Sequence, residues 1–269
     1  MDAVIPLYLD LMKRCLTNWI YGPSEQMPYT PTGPLETSLA QAYGAHGVRL
    51  MRDAPYNREH RTVGHDWPPY AHTMAGLKRL DNVQFCVEDV IRSRVPGDLI
   101  ETGVWRGGSC IFMRAILKAY GDRERTVWLA DSFAGLPPPD ESRYPADKGD
   151  ILYTFPQLAV SEEQVRANFA QYDLLDDQVR FLKGWFRDTL PTAPLERIAV
   201  LRLDGDMYES TMDALVNLYP KVSVGGYVIV DDYGCIPACR QAIHDYRDQH
   251  GITDEIHEVD WTGVFWRRS

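Results

Sequence analysis

The sequence predicts an α/β fold built on a largely parallel sheet, and three observations carry that reading. From residue 98 onward short apolar runs alternate with stretches of helical periodicity. The runs end in acids, at Glu101, Asp131, Asp204 and the pair Asp231-Asp232. A glycine turn, Glu101-Thr-Gly-Val-Trp-Arg-Gly-Gly108, joins the first of these runs to a helical stretch. Strands alternating with helices give a parallel sheet covered on both faces. Ligands of such sheets bind in the crevice outside the carboxyl ends of the strands.

Taken in order, residues 5–20 have helical apolar spacing, and Pro23, Pro28, Pro31 and Pro34 mark a loop before a short helix near 34–43. Residues 44–72 are rich in Arg, His and Trp and weakly periodic, which suits a lid or an irregular surface segment. A helix over 74–95 leads into the core. Strands are expected at 98–101, 126–130, 179–183, 198–203 and 226–230, with helices at 108–120, 161–172, 208–220 and 236–250. A Pro- and Gly-rich loop and a polar stretch fill 135–160. Two last strands, near 254–260 and 263–267, form a hairpin about Trp261-Thr-Gly263 and give the sheet one antiparallel strand. We divide the chain into an N-terminal helical and lid region, 1–72, and a main domain, 73–269.

Composition narrows the function. The chain has 269 residues, 45% hydrophobic and 25% charged, enough for one sizeable domain with an appendage. Its formal net charge of −10 argues against nucleic acid as a partner, because phosphate binding wants a basic footprint. No run of 18 apolar residues suggests a membrane span, and the first residues lack the pattern of a signal peptide. Five irregularly spaced cysteines fit reduced thiols in the cytoplasm; Cys235 and Cys239, with only His244 nearby, are too few for zinc.

The glycine turn indicates the kind of nucleotide. In a dinucleotide fingerprint the second glycine lets the backbone approach a pyrophosphate, and here that position is Trp105. An acid just before the turn suits a cationic amino-acid ligand better than a diphosphate. Adenosine, a sulfonium and an amino-acid tail, with no phosphate, meet both conditions: S-adenosylmethionine (SAM). Asp131 ends the second strand, where a carboxylate can accept from both hydroxyls of a ribose. A single acid at a strand end is often only a helix cap, but five together are hard to explain that way. Asp204, Asp231 and Asp232 would repel one another unless a cation sat among them. An all-oxygen set fits Mg²⁺, Ca²⁺ or Mn²⁺.

The segments Glu101–Ser109, Asp131-Ser-Phe-Ala-Gly-Leu-Pro137, Gly184-Trp-Phe-Arg-Asp-Thr-Leu-Pro191, Leu203-Asp-Gly-Asp-Met-Tyr-Glu-Ser210 and Gly225-Gly-Tyr-Val-Ile-Val-Asp-Asp-Tyr233 resemble the macrocin O-methyltransferase (TylF-like) family. The earlier Tyr70-Ala-His-Thr-Met-Ala-Gly-Leu-Lys-Arg-Leu80 extends the resemblance over most of the chain. It implies a seven-stranded, Rossmann-like SAM-dependent methyltransferase fold whose last strand is antiparallel. It also implies methylation of a sugar hydroxyl on an antibiotic-type natural product or its nucleotide-sugar precursor, with SAM and a divalent metal such as Mg²⁺. By the same resemblance Glu101, Gly103 and Ser109 hold the methionine end of SAM, closed over by Thr73 and Met74. Asp131 is the ribose acid, with Ser132 beside it, and Gly184, Trp185 and Phe186 lie near the adenine. Asp204, Asp231 and Asp232 match the metal triad. Asp204 is the expected ligand and base, with Asp206 in reserve.

Two other readings compete. A catechol-type aromatic O-methyltransferase would use the same metal logic and an aromatic slot from Trp67, Tyr70 or Trp185. The other is a nucleotide-binding domain without catalysis, or an NAD-dependent one; Trp105 argues against NAD. Arg49, Arg52, Arg58 and Arg61 either meet a diphosphate of a nucleotide sugar or form a solvated surface, the reading we prefer. The apolar face of the first helix must be buried on the main domain or on a second subunit; we favour the subunit contact, and hence a homodimer or larger assembly.

Overall fold

A computed structural model describes residues 4–269; the first three residues of the expected N-terminal region lie outside it. The helices are α1 (Val4–Leu16), α2 (Pro34–Gly44), α3 (Arg58–Val63), α4 (Gly76–Arg92), α5 (Gly108–Tyr120), α6 (Glu162–Gln171), α7 (Phe186–Thr189), α8 (Tyr208–Leu218) and α9 (Pro237–Gln249). The strands are β1 (Gln26–Pro28), β2 (Met51–Asp53), β3 (Asp98–Thr102), β4 (Val127–Asp131), β5 (Val179–Lys183), β6 (Ile198–Leu203), β7 (Val222–Val230), β8 (His257–Glu258) and β9 (Val264–Arg267).

Seven strands form one sheet in the order β5-β4-β3-β6-β7-β9-β8. The first five of that order are parallel, and β9 runs antiparallel to β7. This is the expected seven-stranded α/β sheet with its last strand reversed. Chain order runs outward from β3 to β5 and then returns to β6, so the topological switch lies between β3 and β6.

Alternation along the strands builds a core on each face. Leu99, Val127, Leu129, Tyr227 and Ile229 pack under α1, α4 and α5. Ile100, Ala130, Leu201, Leu203, Val228 and Val230 pack under α8 and α9. The period of two therefore puts Glu101 and Arg202 on the α4–α5 face at the ligand end of the sheet. Helix α4 buries Leu80, Val83, Val87 and Val90, a helical stripe three and four residues apart.

Some elements differ from expectation. Strand β7 begins at Val222 rather than 226, because Gly225 and Gly226 form an irregularity inside it: the β6–β7 register shifts between Ile198 and Val200. A Cβ on Gly226 would lie 2.8 Å from the Ala199 carbonyl, so only glycine fits there. Residues 44–72 hold β2 and α3, with β2 paired antiparallel to β1. Buried Asp147, in the loop expected to be merely polar, caps the start of α8 by accepting from Tyr208 N at 2.6 Å and Glu209 N at 3.0 Å. Among the described residues no helix is long and apolar enough to cross a membrane.

The face of α1 carrying Leu9, Met12 and Leu16 packs into the same core as β3 and α5, so it is buried on the main domain and not, as favoured above, on a second subunit. Val4, Leu7 and Leu11 form a second apolar stripe that stays exposed. Leu16→Ala is expected to lower the unfolding free energy by ~2–5 kcal/mol, the range for emptying a buried leucine site. Leu7→Ala should change it by less than ~0.5 kcal/mol. Urea unfolding followed by circular dichroism measures both; equal effects would mean that α1 is not part of the core.

Candidate active site

At the switch point β3 and β6 leave the sheet in opposite directions, and their ends pass closely. Gly103 has φ +86°, and a Cβ on it would lie 1.7 Å from the Asp204 carbonyl oxygen. Glycine is the residue that permits this approach. Two adjoining chambers open above the crossing. All residues assigned from sequence to SAM or the metal line one or both of them; Tyr70, a candidate for the aromatic slot, lines neither.

The first chamber is lined by Gly103, Asp131, Ser132, Gly184, Trp185 and Phe186. Asp131 accepts from Val104 N and Phe133 N, each at 2.7 Å, one on each carboxylate oxygen. Burial holds its pKa above the usual carboxylate range, opposed by these backbone donors. Ser132 donates to Gly135 O at 2.6 Å, tying down the loop after β4. Trp105, in a left-handed backbone conformation at φ 47°, donates its indole N–H to Gln157 O at 2.9 Å and borders both chambers. The bulky wall inferred at the second fingerprint position is thus fixed in place.

The second chamber is lined by Thr73, Met74, Glu101, Ser109, Asp204, Asp231 and Asp232. Asp204, Asp231 and Asp232 can each present a carboxylate oxygen within 4.8 Å of the others. Two buried guanidiniums that the sequence reading missed organise them. Arg202 ion-pairs with Glu101, with Asp204 at 2.5 Å and with one oxygen of Asp231. Arg79 of α4 pairs with the other oxygen of Asp231 and, at 3.1 Å, with Asp260. A charge inside the apolar run Val-Leu-Arg-Leu of β6 was the available signal, because a buried arginine needs carboxylate partners.

The acids differ in what they touch. Glu101 is fully buried, held by Arg202 on one oxygen and by the Cys110 thiol, 2.8 Å away, on the other; burial pushes its pKa up to about 7. Asp231 has both oxygens paired. Asp204 has one oxygen on Arg202 and is the most open of the three, with 31% of its side chain exposed. Asp232 accepts only from the Asp206 backbone N–H, at 3.1 Å, and faces no cation among the described residues. Burial and then Asp206 drive its pKa well up. Asp206 borders both chambers. Five carboxyl groups, Glu101, Asp204, Asp206, Asp231 and Asp232, face two guanidiniums, and hard oxygen donors in such excess suit a hard dication.

Loop 64–76 covers the second chamber. Arg106 donates to the carbonyls of Pro69 at 2.9 Å and Ala71 at 2.8 Å, and Gly108 N donates to His72 O at 2.9 Å. These bonds fasten the loop to the glycine turn. Trp67 and Trp261, each about half exposed, stand at the mouth. The four arginines of the N-terminal region do not act together. Arg61 is buried between Glu25 at 2.8 Å and Asp66 at 2.7 Å, and Arg58 lies over the Trp19 ring. Arg49 and Arg52 are exposed.

Residues 6–268 match the profile of the macrocin O-methyltransferase (TylF) family. Mycinamicin III 3''-O-methyltransferase from Micromonospora griseorubida is 52% identical over 268 residues, which span 98% of this chain and 97% of that protein. The 8-demethyl-8-(2,3-dimethoxy-alpha-L-rhamnosyl)-tetracenomycin-C 4'-O-methyltransferase of Streptomyces olivaceus is 55% identical over 264 residues, 98% of this chain and 93% of its own. The structure of the O-methyltransferase NovP superposes with a TM-score of 0.86 at 52% identity, covering 98% of this chain and 99% of NovP.

Proposed function

The chain belongs to the macrocin O-methyltransferase family and is an O-methyltransferase; we propose that it transfers the methyl group of SAM to a sugar hydroxyl of a finished antibiotic-type glycoside, with a divalent cation such as Mg²⁺ at Asp204, Asp231 and Asp232. The observation that carries the metal is the buried carboxylate cluster, with Asp232 facing no cationic side chain. Two relatives support an attached sugar: their names describe acceptors built on mycinamicin and on a rhamnosyl tetracenomycin. The committed Arg61 also removes one member of the basic group that would have met a nucleotide diphosphate. Family membership excludes the reading as a domain without catalysis.

SAM supplies an electrophilic methyl, and a bound dication supplies Lewis acidity that lowers the pKa of an acceptor hydroxyl and fixes which hydroxyl reacts. The protein's residues do the rest. Asp131, its oxygens oriented by Val104 N and Phe133 N, accepts from the ribose hydroxyls in the first chamber. Gly184, Trp185 and Phe186 border the adenine, and Ser132 steadies the adjoining loop. Glu101, Gly103 and Ser109 hold the methionine end, and Thr73 and Met74 close over it. Asp204 Oδ1 has no hydrogen-bond partner among the described residues, since Arg202 takes Oδ2, so it is placed to receive the acceptor's proton. The acceptor oxygen forms the new C–O bond as the C–S bond breaks in line. Trp67 and Trp261 offer the aglycone an apolar shelf.

The protein works in this reading as a homodimer or larger assembly. Helix α2 buries none of its residues, and Leu35, Leu39 and Tyr43 line one exposed face four residues apart. A second copy covers this stripe. Light scattering should find an oligomer, and Leu39→Glu should shift it toward monomer; a monomeric wild type would refute the assembly.

Mass spectrometry tests the function with SAM, Mg²⁺ and a panel of glycosylated antibiotics, nucleotide sugars and a catechol. Methylated glycoside is expected, and product from the catechol alone would favour the aromatic reading. EDTA should abolish turnover and Mg²⁺ restore it, with Asp232→Ala inactive yet still binding SAM. Full turnover after verified metal removal would sink the metal assignment. In calorimetry Asp131→Ala should weaken SAM binding by ~1.5–3 kcal/mol, as for hydrogen bonds to a charged group. An unchanged dissociation constant would leave Asp131 as a loop cap only.

A further inference from the structure

We infer that Arg79 is a positioning residue that couples closure of loop 64–76 to the state of Asp231, an inference that rests on the reading of Asp231 as a metal ligand. The guanidinium is buried, and each of its nitrogens is committed. Nη1 pairs with Asp231 Oδ2, and Nε donates to Asp260 Oδ2 at 3.1 Å. Nη2 donates to Gly64 O at 3.0 Å and to Met74 O at 3.2 Å.

Those two carbonyls are the two sides of one neck. Gly64 has φ +63°, and a Cβ there would lie 2.3 Å from Met74 O; Gly76 has φ +68°, and a Cβ there would lie 2.4 Å from Gly64 N. The chain closes on itself at this point, and the loop between carries Trp67, Thr73 and Met74 into the second chamber. Trp261, next to Asp260, adds a bond from its indole N–H to Val63 O at 2.8 Å. One planar fork therefore holds the loop neck with one nitrogen and a carboxylate of the triad with another. A lysine, a point charge without the fork, cannot make both sets of contacts. Loosening either end loosens the other, so a cation that takes up Asp231 is felt at the loop over the acceptor.

Hydrogen exchange of the full-length protein tests this without acceptor or turnover. Arg79→Gln and Asp231→Asn should each speed exchange at amides 65–75 by at least about tenfold, as expected for loss of a hydrogen bond to a charged group. The double variant should add nothing beyond the larger single effect, and Arg79→Lys should not restore the wild-type rate. Mn²⁺, followed by electron paramagnetic resonance, should bind the wild type and alter exchange at 65–75. In Arg79→Gln it should still bind but leave the loop's exchange unchanged. Wild-type exchange in Asp231→Asn, or additive effects in the double variant, would overturn the coupling. Should Arg79→Gln lack a cooperative melt, Asp231→Asn decides alone, since it touches no residue of the loop. Failure of Mn²⁺ to bind the wild type would sink the metal assignment and leave the Asp231–loop coupling to be judged on the variants.

Discussion

The ligand end of the sheet depends on Arg202, a guanidinium buried among acids. It sits on β6 opposite its register partner Glu101 on β3 and reaches Asp231 at the end of β7. Three neighbouring strands thus end around one cation. Burying a charge is costly unless it is paired and hydrogen-bonded, and a buried ion pair is weak evidence for stability in itself. Its consequence here is geometric. Carboxylates that would otherwise repel one another, Glu101, Asp204 and Asp231, are held around Arg202 at fixed positions.

Glycines set how near these strand ends come. Gly103 lets β3 pass against the Asp204 carbonyl, so the acid-bearing turns meet at the switch point. Gly108 does the same one turn later: a Cβ there would lie 2.4 Å from His72 O, where the covering loop crosses the start of α5. The glycine segment has two jobs, to turn the chain under the ligand and to receive the segment that closes over it. Arg106, within the same segment, supplies the side-chain fastening.

What was legible in the sequence follows from the physics of each element. Strands β5 and β6 and helix α5 match expectation residue for residue, because short runs rich in Val, Ile, Leu and Phe between turn signals and a glycine-bounded helical period leave little choice. The acids at strand ends pointed to the chambers because a parallel sheet puts its carboxyl ends on one side. Less was legible where structure arises from pairing distant in sequence. The β1–β2 pair has three residues on each strand and an interposed helix, so no periodicity announces it. The capping role of Asp147 depends on a helix that starts more than sixty residues later. Arg79 and Arg202 looked like an ordinary helix charge and an oddity in a strand; only the fold brings them to the same carboxylate.

The same fold gives chemically similar acids different environments. Asp131 is oriented by backbone N–H groups, which carry no net charge. Glu101 is held by Arg202 on one oxygen and by the Cys110 thiol on the other. Asp231, doubly paired, is the fixed point to which loop and strands are tied. Asp232 is left without a cationic partner, and Asp204 has one oxygen tethered and one open to the chamber. A cation drawn to Asp232 therefore finds an adjacent oxygen that is held in place but not consumed. Under the proposed reaction that same carboxylate faces the acceptor hydroxyl. Chemically similar carboxylates are thus set apart by different sets of neighbours, not by different residue types.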